Sequence, residues 1–192
     1  KIDKSIYHDE RLKHFFRRVD VALSGVLGRE PLPLIVVGVQ RALAAFQEVS
    51  KQNSLVAGTV TGAHDKTAPH ELAKLVWPTV EQHLEKGRKQ ALADLDGAIR
   101  ARKYLAGVQE AWQAASEGRV SAVLVEEGFY YPARIDGSAA MIQPVPDPAA
   151  PGVIDDAVDE IIEKVIANRG KAIFVADGSL SEHGRIASVL RY

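Results

Sequence analysis

Apolar residues recur through 155–168 at Val158, Ile161, Ile162, Val165 and Ile166. That is the i, i+3, i+4, i+7 spacing of a helix with one buried face. The turn Arg169-Gly170 follows, then two short apolar runs, 171–177 and 185–192, separated by the polar loop 178–184. Short apolar runs bounded by glycine suit strands covered on both faces, and hence a sheet between helices. The same arrangement precedes it: a helix over 108–117 ends at Gly118 and feeds a strand over 120–126. Two helix–glycine–strand units in one half of a chain predict an α/β sandwich rather than a helical bundle.

The first half reads similarly. A helix over 9–27 carries the stripe Leu12, Phe15, Phe16, Val19, Ala22, Leu23, Val26 and Leu27. Each large member gains roughly 1.5–3 kcal/mol on full burial, so this helix must dock on something. A strand at 34–37, Gly38, a helix at 41–50 and a strand at 55–61 come next. The loop 62–67 leads to Pro69, which opens a short helix to Trp77, a sound position for proline. Pro78 interrupts that helix or begins the next, which extends to Lys103 and buries Val80, Leu84, Ala91, Leu92, Leu95, Ala98 and Ile99. The domain boundary is therefore expected between Trp77 and Thr79, giving α/β domains at 1–78 and 79–192. Four prolines within 136–152 mark a surface excursion that cannot pair in the middle of a sheet.

A length of 192 residues with 46% hydrophobic residues allows one large or two small domains with a real core. No apolar run approaches the roughly 20 residues of a membrane-spanning helix. There is no cysteine, which removes disulfides, thiolate catalysis and cysteine zinc sites. The chain opens on Lys1 without a visible signal peptide and reads as a piece of a longer protein, with a cytoplasmic location expected by default.

Net charge is −1 but is unevenly spread. Residues 1–78 hold 11 basic and 8 acidic residues, and 86–103 hold six and two. By contrast, 121–163 hold one basic residue and nine acidic ones. A duplex-DNA binder is usually basic throughout. This pattern instead allows one basic face to meet nucleic acid while an acidic face stays free or meets a protein. Arg11, Lys13, His14, Arg17 and Arg18 lie along the polar side of the first helix. A charge run of this kind is ordinarily a solvated flank; the sharper reading is an RNA-phosphate face.

No catalytic centre emerges from the residues. Gly38-Val-Gln-Arg41 follows a strand but lacks the phosphate-loop and dinucleotide fingerprints. His64-Asp65 and His70 lack metal-ligand spacing, so no metal or cofactor is expected. Ser181-Glu-His183 has hydrolase residue types without a nucleophile elbow and reads as a link between adjacent strands. Glu126 and Glu127 are neighbours on a strand and point to opposite faces, a poor acid/base pair. Asp155-Asp156 reads as helix N-terminal capping. Tyr130-Tyr131 could stack bases but sits beside proline, where aromatics more often pack.

The segment Tyr104-Leu-Ala-Gly107-Val-Gln-Glu-Ala-Trp-Gln-Ala-Ala-Ser-Glu-Gly118-Arg-Val-Ser-Ala-Val-Leu-Val125 resembles the third domain of archaeal and eukaryotic peptide-chain release factors and Pelota. There, a helix led by Tyr-Gly ends at glycine and enters an Ala-Val-x-x-Leu-Leu strand. The ending His183-Gly-Arg-Ile-Ala-Ser-Val-Leu-Arg-Tyr192 is similar to that domain's closing Gly-Gly-Ile-x-Ala-x-Leu-Arg-Tyr. Upstream, the order of elements over 34–77 resembles the C-terminal half of the second domain. The likeness spans nearly the whole chain and is nearest to the bacterial archaeo-eukaryotic release factors of family 3.

This resemblance implies a partial RNase H-like domain followed by a domain like the kink-turn-binding ribosomal proteins. It also implies action at the ribosome, in termination or in rescue of stalled complexes. In the family, peptidyl-tRNA hydrolysis depends on a Gly-Gly-Gln loop that would precede the first helix. The 192 residues contain no Gly-Gly-Gln, so no catalytic residue carries over.

Three readings follow. The first is a translation factor-like protein binding ribosome or tRNA, with a translational GTPase or another protein as a further partner and neither membrane nor DNA. Its phosphate contacts are expected at Arg17, Arg18, Lys86, Arg88 and Lys89. The second is a non-enzymatic protein-interaction module of a stress or conflict system, using the acidic face of 155–163. The third is a hydrolase, which needs a pocket joining His64, Asp65 and His183.

Overall fold

The computed structural model describes residues 4–28, 31–136 and 141–192. The chain divides into two compact units, Lys1–Lys86 and Gly87–Tyr192, and both are α/β.

In the first unit, α1 (Lys4–Leu27) precedes β1 (Leu34–Gly38), α2 (Gln40–Val49) and β2 (Val56–Thr61). Part of the apolar stripe read along the first helix docks on α2, where Phe16 meets Phe46 edge-to-face at 5.8 Å, whereas Phe15, Ala22 and Val26 of the same stripe are exposed. Leu27, Leu43, Ala45 and Phe46 are buried. Among them lies a polar fastening: the buried Asp20 carboxylate accepts from Ser50 Oγ at 2.6 Å and from the Lys51 amide at 3.1 Å. β1 and β2 pair in parallel. A crossover through α2 joins them, the ordinary connection for parallel neighbours.

One helix, α3 (Pro69–Arg100), runs through the division between the units. A helix break was expected at Pro78, whereas the helix is continuous through it; the division of the units falls within the helix, at Lys86/Gly87. Proline removes one amide donor, but the other hydrogen bonds of a 32-residue helix carry it past the lesion. Packing also holds it: a Cβ built on Gly58 of β2 would lie 2.3 Å from Thr79 Cγ2, so the strand and the residue after the proline are in close approach.

The second unit continues with β3 (Tyr104–Ala106), α4 (Val108–Ser116), β4 (Val120–Glu126), β5 (Ala133–Ile135), β6 (Ile142–Pro144), α5 (Ala157–Ala167), β7 (Lys171–Val175) and β8 (Ile186–Leu190). Its main sheet has the order β3-β8-β4-β7. β8 is antiparallel to both β3 and β4, and β7 is parallel to β4. The loop after β7 therefore does not link neighbouring strands, as its sequence suggests; it carries the chain past β4, so that β8 fills the interior position. The apolar residues Ile186 and Ala187 of β8 are fully buried there.

Both faces of this sheet are covered. Val108, Ala111, Trp112 and Ala115 of α4 join Val158, Ile161 and Val165 of α5 over Val123, Val125 and Ile186. Ala91 and Leu95 of α3 pack with Leu124, Val175, Leu180 and Ala187 on the other face. β5 and β6 form a separate antiparallel pair, so the proline-rich excursion contributes one strand, β6, outside the main sheet. Asp156 caps α5, accepting the Val158 amide at 2.9 Å, as its place before the helix implies.

Candidate nucleic-acid interface

The α1 register turns Leu27 and Asp20 inward and leaves Arg17 and Arg18 exposed. Neighbouring cations are engaged: Lys13 pairs with Glu48, and Arg41 donates to Asp9 at 2.7 Å. The hydrogen bond to Glu48 is the main reason the Lys13 ammonium pKa is raised. Arg17 and Arg18 make no such pair among the described residues.

The run at 86–89 separates on α3. Residues two apart point to different sides of a helix. Lys86 and Lys89 are exposed, whereas Arg88 turns toward the body of the second unit. Its Nη2 donates to Glu127 at 2.6 Å and its Nε to the Phe174 carbonyl at 3.2 Å. The charge of Arg88 thus ties α3 to the end of β4 and to edge strand β7.

Strand direction sorts the charges of the second unit. At one rim of the main sheet, β4 and β7 end and α5 begins. There lie Glu126, Glu127, Asp177, Asp155 and Asp156. Glu126 is buried, with both oxygens occupied: Oε1 accepts the Leu180 amide at 2.6 Å and Oε2 accepts Arg185 Nε at 2.8 Å. Arg185 reaches Asp177 through its other nitrogen and lies over the Phe129 ring, 5.0 Å from its centroid. The Arg185 hydrogen bond, with the Leu180 and Gly178 amides, holds the Glu126 carboxyl below its usual pKa against the opposing effect of burial. Glu126 thus belongs to a structural network rather than to an open acid/base site.

At the opposite rim β3, β4 and β7 begin and β8 ends. Arg102 and Lys103 precede β3, Arg119 precedes β4, Arg169 and Lys171 sit at the start of β7, and Arg191 follows β8. The sequence reading missed this grouping, because its members are scattered and meet only through strand order. One signal was available: a basic residue stands at or just before the start of three strands.

The first unit has a cavity of about 350 Å³ where β1 and β2 end, lined by Val37, Gly38, Val39, Gly62, Ala63, His64, Asp65 and Leu72. It brings His64 and Asp65 together, but His183 does not line it. His183 packs instead against Tyr104, ring centroids 6.0 Å apart. His64 Nδ1 lies 3.3 Å from Thr67 Oγ1. No nucleophile with an oriented base lines this cavity, so the triad idea finds no support in its geometry. No described helix is long and apolar enough to cross a membrane.

Residues 1–119 match the model of bacterial archaeo-eukaryotic release factor family 3. The chain belongs to this family. Its fold is also that of solved translation factors. The family-3 chain superposes on the model of ribosome-bound archaeal Pelota and ABCE1 with a TM-score of 0.61 at 20% identity, covering 93% of this chain and 49% of that one. Dom34 of S. cerevisiae, described as a translation termination-like factor involved in RNA quality control pathways and interacting with Hbs1, gives a TM-score of 0.54 at 14% identity. That match covers 100% of this chain and 53% of Dom34. At these identities the likeness is one of fold, and the family-3 chain spans about half the length of either structure. No curated protein matches it.

Proposed function

We propose that this family-3 protein is a ribosome-associated translation factor-like protein that works in peptide-chain termination or in rescue of stalled ribosomes. The supporting observation is the conjunction of a release-factor family match with a fold that follows Pelota over 93% of the chain. Pelota in that model is ribosome-bound, and Dom34 interacts with Hbs1. By extension, ribosomal RNA or tRNA is the nucleic-acid partner and a translational GTPase a candidate protein partner. Arg17, Arg18, Lys86 and Lys89 serve as phosphate contacts in this reading. Arg88 supports them by fixing α3, since its guanidinium is engaged within the fold. No catalytic step is assigned to the chain.

The test is co-sedimentation with purified bacterial ribosomes, comparing the parent with R17E/R18E/K86E/K89E. The expected result is binding by the parent that weakens as salt rises, through counterion release, and little binding by the variant. Unchanged association of the variant would remove these four residues from the interface.

A second reading is a protein-interaction module without ribosome binding. It is favoured by Ile166, 57% exposed on α5 one turn beyond the acidic Glu163. Recovery of a discrete protein partner with no RNA would support it.

A further inference from the structure

We propose that the basic rim of the second unit, where β3, β4 and β7 begin and β8 ends, is a docking surface for the phosphodiester backbone of RNA. The proposal rests on the ribosome reading for its choice of polyanion and assigns the contact to residues that reading did not use.

The rim is one continuous row. The Leu190 amide donates to the Lys103 carbonyl at 2.9 Å, and the Arg191 amide to the Arg119 carbonyl at 3.0 Å. Lys171 stands opposite Ala122 in the β4–β7 register. Four strands at about 4.8 Å spacing make the row roughly 14 Å wide. Two of its cations are committed to the fold: Arg119 pairs with Glu117, and Arg191 donates to the carbonyls of Val120 and Asn168. Five others are exposed: Arg100, Arg102, Lys103, Arg169 and Lys171. None of the five makes a side-chain hydrogen bond or ion pair among the described residues.

The backbone points the same way. Arg102 has φ 56° and Arg169 φ 60°, each two residues past the end of a helix. Helices commonly close there on a left-handed residue, and glycine is the usual occupant because a Cβ is penalised. Two arginines in these positions add backbone strain, and their clustering with three more cations adds self-repulsion. A bound polyanion offsets the repulsion. Phosphate contacts need positioned charge without an apolar anchor, whereas the core of a protein–protein interface is depleted of charged residues, lysine among them. RNA carries a charge at every nucleotide, a density that matches a row of cations at strand spacing. Tyr192, 74% exposed beyond the rim, offers a ring on which a base can stack. The acidic residues at the other end of the same sheet repel the ligand and orient the unit.

The experiment measures binding of the full chain to fluorescein-labelled tRNA and to purified ribosomes over a salt series, beside melting curves. R102G/R169G removes two charges where glycine relaxes the backbone, so its melting temperature should equal or exceed the parent's. R100Q/R102G/K103Q/R169G/K171Q removes all five. The logarithmic salt slope should shrink by about 1 for each contacting cation removed. Affinity of the fivefold variant should fall by about tenfold or more. A loss toward tRNA alone assigns the rim to tRNA, and a loss toward ribosomes alone assigns it to ribosomal RNA. Equal affinities and slopes in parent and variants overturn the proposal, as does a parent that binds polyglutamate but not RNA. If the parent binds tRNA through the rim but not ribosomes, the rim stands and the ribosome reading falls. If the parent binds ribosomes and neither ribosome nor tRNA binding changes with all five substitutions, the rim falls and the ribosome reading stands. Should the fivefold variant fail to fold, the glycine pair decides the matter by itself.

Discussion

Glu126 Oε2 lies 2.8 Å from Arg185 Nε, joining the end of β4 to the residue just before β8. The carboxylate is only 1% exposed, and its other oxygen holds the Leu180 amide. One buried charge therefore fixes the loop that carries the chain past β4 and delivers β8 to the sheet interior. Removing one partner of such a pair costs about 3–5 kcal/mol when both are buried. Arg185 is partly solvated, so Glu126→Ala should cost about 3 kcal/mol by urea denaturation. The same contact predicts a pH dependence. The folded pKa of Glu126 is depressed below 4.5, so its contribution is complete above that value. It is lost as pH falls through the folded pKa. Parent stability should drop more steeply than that of Glu126→Gln on acidification below pH 4.5; parallel curves would contradict the assignment.

Pro78 sits exposed inside α3 with no amide to donate. Interior proline costs up to about 3 kcal/mol relative to alanine. Pro78→Ala should therefore raise the melting temperature, by an amount equivalent to about 1–3 kcal/mol. A lower melting temperature would mean that Pro78 stabilises the fold rather than burdening the helix.

Gly170 lies where α5 hands over to β7. A Cβ there would come within 2.5 Å of Val165 Cγ1, 2.9 Å of the Val165 carbonyl and 3.1 Å of the Val120 carbonyl. Two of these are backbone atoms that cannot swing aside. Gly170→Ala should destabilise by about 1–3 kcal/mol, as overpacking does, measured by thermal or denaturant unfolding. A neutral outcome would show that the helix–strand junction is looser than its contacts imply.

Asp156 accepts two amides, Val158 at 2.9 Å and Tyr131 at 3.2 Å. It closes the first turn of α5 and fastens the strand-exit segment to it. Asp156→Ala should cost about 1–2 kcal/mol, at the upper end for an N-cap. Asp156→Asn, which keeps the acceptor oxygen, should recover most of the loss.

Much of the second unit was readable because its signals agree with one another. The α5 stripe, the apolar runs of β4, β7 and β8, and the glycines between them all predict a covered sheet. Trp112 and Ile186 fall in the core where that pattern places them. Strand order was not readable. A polar loop of seven residues looks like a hairpin link, and only Glu126, far off in sequence, reveals that it crosses a neighbouring strand. β3 escaped because three residues ahead of a glycine carry no periodicity; it is held by pairing to β8. Pro78 misled because a local propensity was outweighed by the length of the helix around it and by Thr79 packed on Gly58. The cations at 86–89 drew attention as a run, yet Arg88 turns inward to Glu127. The rim residues are separated by up to 91 positions from Arg100 to Arg191. They become neighbours only once four strands are ordered, which no local pattern encodes.

Equilibrium pelleting of the purified chain with purified bacterial ribosomes decides whether this fold engages the ribosome as proposed. The prediction is saturable binding at low ionic strength that declines steeply between about 50 and 200 mM salt, as phosphate contacts require. A chain that stays in the supernatant at every salt concentration, while folded by its melting curve, contradicts the claim.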